Sequence, residues 1–273
     1  MPALALNGAF EITVEVVPPA GPDPGPLLQA LKPLRGLPFA AFSVATNPLA
    51  KPRLSALALS ALIQKEVGRP AILHCTTRDH NRLSLQALLW GARALGVETV
   101  LVATGDFVAL GDRARTTTVR DVDVFGLVQM AREAGLQTGV VLDPRPESNG
   151  LRQAIRRLRR KAEAGAQFAV TQPVYDRAGA LALAEAAGGV GLPVFLGILP
   201  LRSARHALFL HEKVAGIVVP EAVRRQMAEA ADPVAEGVAL AREMLHLARE
   251  VFAGACIMPP FDRYEVVEQV LAP

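Results

Sequence analysis

The stretch QTGVVLDPRPESNGLRQAIRRLRRKAEAGAQFAVTQPV, residues 137–174, contains the pattern that decides the fold. An apolar run (137–144) is followed by a helical pattern (151–166) that ends near Gly165, and a second apolar run (168–174) comes next. In the middle part, apolar residues recur at the three- and four-residue spacing of a helix. This order predicts a βαβ unit with two parallel strands.

The same alternation extends from this unit to both ends of the chain and predicts eight strands. They are EITVEVVP (11–18), AFSVATN (41–47), AILHCTT (71–77), TVLVATG (99–105), QTGVVLDP (137–144), FAVTQPV (168–174), PVFLGILP (193–200) and GACIMP (254–259). A further apolar run, GIVVP (216–220), is interpreted as a connection into a helix started by Pro220. An open doubly wound sheet shows the same alternation, but no GxGxxG motif follows the first strand. We therefore predict an α/β fold, a single (β/α)8 TIM barrel that forms one domain over residues 1–273.

The composition argues against several classes of protein. The chain is 51% hydrophobic, and its net charge of +3 is too small for a general nucleic-acid-binding surface. Cys75 and Cys256 lie in apolar runs and are expected to be buried, reduced thiols. The amino terminus lacks the pattern of a secretory signal, and glycines with a proline divide the apolar residues 178–201 into helix, turn and strand. We expect a cytoplasmic protein without membrane contact.

Polar residues cluster at the carboxyl ends of the predicted strands, where a (β/α)8 barrel carries its active site. They are Glu15, Thr46, Asn47, His74, Thr76, Thr77, Thr104, Asp106, Asp143, Thr171, Gln172, Arg202 and Ser203. The third strand ends in HCTTRDHN, whose His, Cys and Asp residues could suggest a zinc-binding site. Because no CxxC or HExxH spacing is present, no metal site is predicted.

Glu15 is the most informative of these residues. Strand alternation places Glu15 on one face and Val14 and Val16 on the other, and the apolar face should meet the helices. Glu15 then points into the barrel, where burial would raise the pKa of its carboxyl and keep it protonated as a general acid. The alternative is a structural carboxylate paired with an arginine.

Three further features allow a functional and a structural interpretation. Thr104, Gly105 and Asp106 would let the backbone approach a flat ligand, although Asp106 alone is as typical of a turn or a helix cap. Gln172 suits the edge of a heterocycle such as a pterin, or it caps a loop. The predicted helix 151–166 is rich in arginine, including Arg157, and is either a solvated basic face or a cradle for phosphates.

Six segments, read in order, resemble the methylenetetrahydrofolate reductase family, particularly the branch fused to or associated with homocysteine methyltransferases. They are VEVVPP, ILHCTTRDHN, VATGD, RRKAEAGAQFAVTQPVYD, LGILPL and IMPPFDRYE. The resemblance spans almost the whole chain, and the long segment together with GILPL is its most specific part. It implies a flavin-containing (β/α)8 barrel that passes a hydride from NADH or NADPH to 5,10-methylenetetrahydrofolate and forms 5-methyltetrahydrofolate.

The resemblance also implies roles for individual residues. Glu15 corresponds to the family's general acid, Asp106 to an aspartate whose charge beside the flavin favours hydride release, and Gln172 to a substrate contact. Carried over with them are expected flavin contacts at Thr46, His74, Thr76, Thr104, Gly105, Asp106, Asp143, Arg157 and Lys161. Expected substrate contacts are Glu15, Gln172, Tyr175, Phe261 and Arg263.

The chain departs from the best-known members at the adenosine end of the expected flavin site. Asp143 and either Arg120 or Asp121 stand where those members carry tyrosines, and Ala154 stands where a carboxylate is expected. The positions around the flavin core are kept, so FAD remains the expected cofactor, with FMN as the alternative. Two other functions stay open: a flavin- or folate-binding subunit that needs a partner protein to receive electrons, and a flavin-free folate-dependent methyltransferase. A homo-oligomer is also expected.

Overall fold

The structure, a computed structural model, describes residues 2–143, 150–214 and 216–272. Eight parallel strands close into a barrel in chain order, so β1 pairs with both β2 and β8. The strands are β1 (Glu11–Val16), β2 (Ala41–Val44), β3 (Ala71–Thr76), β4 (Thr99–Ala103), β5 (Gln137–Leu142), β6 (Phe168–Pro173), β7 (Val194–Ile198) and β8 (Gly254–Ile257). The predicted (β/α)8 barrel is confirmed.

Helices connect the strands around the outside of the barrel. They are α1 (Gly25–Leu31), α2 (Ala56–Leu62), α3 (Arg82–Ala94), α4 (Val124–Glu133), α5 (Gly150–Glu163), α6 (Arg177–Gly188), α7 (Ala204–Lys213), α8 (Glu221–Glu229), α9 (Pro233–Val251) and α10 (Glu265–Leu271). Several begin at a side-chain cap, such as Asp123, which accepts a hydrogen bond from Gly126 N and so satisfies a free amide of the first turn. As predicted, residues 216–220 connect to a helix, α8, and residues 178–201 contain helix, turn and strand.

Two apolar layers hold the barrel together. Ile12, Val14 and Val16 of β1 belong to the large cluster between the strands and the helices. The inner layer includes Phe168 and Phe195, whose rings meet edge to face with centroids 5.8 Å apart. Glycines at neighbouring strand positions leave room for these rings, since a Cβ at Gly139 would overlap Phe168 and one at Gly254 would overlap Phe195.

The amino-terminal segment closes the lower end of the barrel, where the strands begin. The Glu11 carboxylate accepts hydrogen bonds from Ala5 N and Leu6 N, both at 3.0 Å. Ala3 N donates to Thr99 Oγ1 at 2.8 Å, and Ala3 and Leu4 are buried with the inner layer. The opposite end, where the strands end, carries the polar residues.

The strands are shorter at their carboxyl ends than the sequence predicts. The second strand was expected to reach residue 47, but β2 ends at Val44. Asn47, Leu49 and Ala50 adopt left-handed backbone conformations with φ between 43° and 55°, which a strand cannot contain. These residues form a tight loop above the barrel instead.

Candidate active site

Glu15 lies on the inner face of β1, as predicted. Its neighbours Val14 and Val16 are fully buried against the helices, whereas the Glu15 side chain is only partly buried. In the register of the sheet, Glu15 is opposite Ser43 of β2. The carboxyl therefore lies inside the barrel, near the end where the strands stop.

The surroundings of Glu15 favour its neutral form. Burial, and secondly the negative charge of Asp106, raise the pKa of the Glu15 carboxyl to about 7. Two other ionisable groups interact with it: the Cys256 thiol in β8 and the Tyr264 hydroxyl, whose pKa values are raised by burial first and also by the charge of Glu15. At neutral pH a large fraction of Glu15 carries a proton and can donate it.

His74 contacts Ser43 on the same inner surface. Its Nε2 shares a hydrogen bond of 2.7 Å with Ser43 Oγ, and its backbone oxygen accepts one from Thr46 Oγ1. Burial lowers the pKa of His74 to about 4, so the ring is neutral at physiological pH. Ser43 lies opposite Glu15 and contacts the neutral His74. The sequence did not indicate this residue.

The loop after β4 carries Asp106, which is exposed at the mouth of the barrel, the opening where the strands end. Asp106 does not cap a helix of its own, because its Oδ2 accepts a hydrogen bond of 2.6 Å from Leu49 N in the left-handed loop after β2. Gly105 has φ +80°, and a Cβ there would lie 3.2 Å from Thr76 Cβ. Thr104 is exposed next to it. The space that a side chain would need at Gly105 is therefore already taken, which favours glycine at this position.

A cationic corner lies between β5 and α5. Lys161 Nζ donates a hydrogen bond of 2.6 Å to Val141 O. Burial and the positive charge of Arg157 lower the pKa of Lys161 to about 8, against the opposing effect of Asp143. Asp143 also faces the backbone of Gly216, where a Cβ would lie 2.8 Å from its Oδ1. An added anion would raise the pKa of Lys161, because a nearby negative charge favours the ammonium form.

The structure separates the two residues predicted near the end of β6. Gln172 is partly buried in the strand and packs closely against Gly197 of β7, where no Cβ would fit. Tyr175 instead belongs to an apolar cluster with residues of α7 and α8, such as Leu210 and Met227. Its hydroxyl is buried, so a contact between Tyr175 and substrate requires a movement of this cluster and stays a prediction.

Phe261 projects from the loop after β8. Its side chain is 66% exposed, its φ is +53°, and its ring lies 4.9 Å from the ring of His206 in α7. His206 is buried, and burial together with the charge of Arg202 lowers its pKa to about 4. Arg263 is exposed beside them and pairs with Glu265 at 3.4 Å. The His206 contact has no signal in the sequence, because 55 residues separate the two rings.

Within the residues that the structure describes, no group of three or more His, Cys, Asp or Glu side chains is arranged to hold a metal ion. None of the helices in the described ranges is both long and apolar enough to span a membrane.

Solved structures with the same architecture act on several kinds of small molecule. An uncharacterized protein from Clostridium thermocellum that binds two copies of 5-methyl-5,6,7,8-tetrahydrofolic acid matches 97% of this chain and 93% of its own, with 16% identity and a TM-score of 0.70. Oxaloacetate acetylhydrolase (13% identity, 97% and 80% coverage) and phosphonopyruvate hydrolase (16%, 97% and 82%) both give a TM-score of 0.57. At such identities the likeness establishes the barrel fold alone.

The sequence itself assigns the chain to a family. The model of the family described as methylenetetrahydrofolate reductase matches residues 2–258, which include all eight strands and the polar strand ends described above. This protein therefore belongs to the methylenetetrahydrofolate reductase family.

Proposed function

We propose that this protein reduces 5,10-methylenetetrahydrofolate to 5-methyltetrahydrofolate, with a bound flavin as hydride carrier and NADH or NADPH as hydride source. Membership of the family supports a folate substrate. The observation that carries the proposal is the Glu15 carboxyl, whose pKa is raised to about 7 by burial and by Asp106 inside the mouth of the barrel. A neutral acid at this position is what opening of the substrate ring requires.

Glu15 would act on the nitrogen that must leave the one-carbon unit. The proton passes from the Glu15 carboxyl to N10 of the folate as the bond between N10 and the methylene carbon breaks. The electron pair of that bond stays on N10, and N5 with the methylene carbon becomes an iminium cation. The Asp106 carboxylate would stabilise this developing positive charge.

The residues present fit a flavin at two of its parts. Near the ring end, Thr46, Thr76 and neutral His74 offer hydroxyl and imidazole groups, and Gly105 adds backbone without a side chain beside them. When bound, the flavin would take a hydride from the nicotinamide and deliver it to the one-carbon unit. Near the phosphates, the cationic corner of Lys161 and Arg157 would supply the positive charge.

The substrate would lie between this ring and the loop after β8. Gln172, partly buried near the end of β6, has amide donors and an acceptor for the edge of a pterin. The exposed ring of Phe261 is held by a left-handed backbone and by contact with His206, so it presents a fixed apolar face. Arg263 adds a cation for a carboxylate of the substrate.

An absorption spectrum, with and without added FAD or FMN, tests this proposal first. The expected protein binds flavin, loses the flavin absorption when NADH or NADPH is added without oxygen, and regains it when 5,10-methylenetetrahydrofolate follows. A protein that takes up neither flavin at micromolar concentration would contradict the proposal.

A second candidate function is a flavin- or folate-binding subunit that receives electrons through a partner protein. Two observations favour it: Ala154, a small residue buried in α5, stands where the family resemblance leads us to expect a carboxylate, and the similar Clostridium thermocellum protein binds folate. Stoichiometric flavin that neither nicotinamide reduces would support this function. Folate binding without any flavin uptake would instead favour a folate-dependent methyltransferase.

A further inference from the structure

Arg78 follows β3 and is buried at the rim of the barrel. Arg78 is 4% exposed, and no other lysine or arginine among the described residues is as deeply buried. A guanidinium taken out of water at this depth is tolerated only when most of its donors are bound. Its partners therefore show what the residue does.

The guanidinium binds groups on three loops at once. Nε and Nη2 form a bidentate pair with the Asp79 carboxylate, at 2.5 and 2.7 Å. Nη2 also donates to Asn47 O at 3.1 Å, and Nη1 donates to Asp106 O at 3.2 Å. Burial opposes ionisation of Asp79, but hydrogen bonds from Arg78 and Asn47 prevail and lower the pKa of its carboxyl. The charged pair thus joins the ends of β2, β3 and β4.

These bonds fix Asp106 from two sides. Arg78 holds its backbone oxygen, and Leu49 N, in the loop that Arg78 also binds through Asn47, holds its carboxylate at 2.6 Å. The loop after β2 has left-handed residues at 47, 49 and 50, a conformation that costs roughly 1 kcal/mol or more for each residue other than glycine. Such a loop needs tertiary bonds to keep its shape.

We propose that Arg78 is a positioning residue, which holds the Asp106 carboxylate beside Glu15 by joining the loops that follow β2 and β4. The inference rests on the function proposed above, since it assigns Asp106 and Glu15 to the site. Lysine cannot replace the arginine, because a single ammonium group lacks the planar fork that reaches Asp79, Asn47 and Asp106 together. The charge alone is therefore insufficient.

The ligand-free protein offers a direct readout, the titration of the Glu15 carboxyl. The groups that interact with Glu15 are Asp106, Cys256 and Tyr264, and of these Arg78 binds Asp106. If Arg78→Lys loosens Asp106, a negative charge moves away and the Glu15 midpoint falls. We expect a fall of about half a pH unit or more in the carbon-13 spectrum of the glutamate-labelled protein, with Glu15→Gln assigning the signal.

A double-mutant cycle shows whether Arg78 acts through Asp106. In an Asp106→Asn background, Arg78→Lys should leave the Glu15 midpoint unchanged, because the charge that it positions is gone. The matched control is Arg93→Lys, which alters an ion pair of 3.6 Å with Glu98 away from the site and should leave the midpoint at its wild-type value. An unchanged midpoint in folded Arg78→Lys, or an equal fall in both backgrounds, would overturn the proposal.

Circular dichroism separates misfolding from mispositioning. If Arg78→Lys does not fold, Asp79→Asn decides by the same comparison, since it keeps the arginine and removes the carboxylate that orients it. Failure of the Arg78 proposal can be distinguished from failure of the proposed function. An ordinary Glu15 midpoint in the wild type contradicts both, whereas a raised midpoint in a protein without flavin chemistry contradicts the proposed function and leaves the Arg78 comparison to decide the positioning role.

Discussion

Glu15 and Asp106 lie at the ends of two different strands of the barrel, and the charge of Asp106 adds to burial in raising the Glu15 pKa to about 7. Burial, together with the charge of Asp106, thus keeps a large fraction of Glu15 neutral at pH 7. Pairs of acids whose surroundings separate their pKa values commonly divide the roles of proton donor and charge stabiliser.

The raised pKa predicts a pH dependence of stability. The folded protein binds the Glu15 proton more tightly than the unfolded chain, so the contribution is fully present below pH 4.5 and is lost as the pH rises through about 7. The variant Glu15→Gln has no ionisable group at this position. Between pH 5 and 8 the wild type should therefore lose up to about 3 kcal/mol of unfolding free energy relative to the variant.

Urea denaturation of both proteins at several pH values measures this difference. Burial lowers the pKa values of His74 and His206, and we expect both rings to titrate alike in the two proteins, so that their effects cancel in the comparison. Parallel curves for wild type and Glu15→Gln would show that the carboxyl is not perturbed.

Asp106→Asn should change the redox behaviour of bound flavin. Removal of a negative charge stabilises the more negative reduced form, so the midpoint potential should rise, on the order of 30 mV for about 1.4 kcal/mol in a two-electron couple. The control is Asp23→Asn, since Asp23 is exposed in the loop before α1 and accepts a hydrogen bond of 2.8 Å from Gly25 N. Equal potentials in wild type and Asp106→Asn, from a spectroscopic titration against reference dyes, would remove Asp106 from the flavin site.

Gly105→Ala should destabilise the protein more than the same change at another left-handed glycine. At Gly105, a Cβ would lie 3.1 Å from Arg78 Cβ and 3.2 Å from Thr76 Cβ, and φ is +80°. Gly191 has φ +75° and nothing within 4 Å, so Gly191→Ala measures the backbone strain alone, about 1 kcal/mol. Chemical denaturation should show the larger loss for Gly105→Ala, and equal losses would indicate that the loop yields freely.

The sequence predicted the architecture and the inner placement of Glu15, because both depend on local periodicity. Alternation in β1 suffices to separate Glu15 from Val14 and Val16. The bond between Leu49 N and Asp106 was not predictable in the same way, since 57 residues separate the partners and the contact needs a left-handed backbone at Leu49, a leucine. The bond from Ala3 N to Thr99 Oγ1 is likewise tertiary, since 96 residues separate the partners.

The sequence also did not predict which buried residues contact the side chains at the strand ends. Arg78 lies in the segment HCTTRDHN, whose pattern predicted no role for it, and the role proposed here depends on its four hydrogen bonds. For Tyr175, the sequence predicted a role but not the surroundings of the side chain. Its position in the family segment predicts a substrate contact, but packing with Leu210 and Met227 determines where the ring lies.

The most direct test of the central claim separates the two half-reactions of Glu15→Gln by stopped-flow absorbance without oxygen. Flavin reduction by the nicotinamide should proceed near the wild-type rate, and reoxidation by 5,10-methylenetetrahydrofolate should slow by roughly a hundredfold or more, the usual contribution of a general acid. Glu11→Gln, on the same strand at the closed end of the barrel, should affect neither half-reaction. Reoxidation of Glu15→Gln at the wild-type rate, or an equal loss in both half-reactions, would contradict the account.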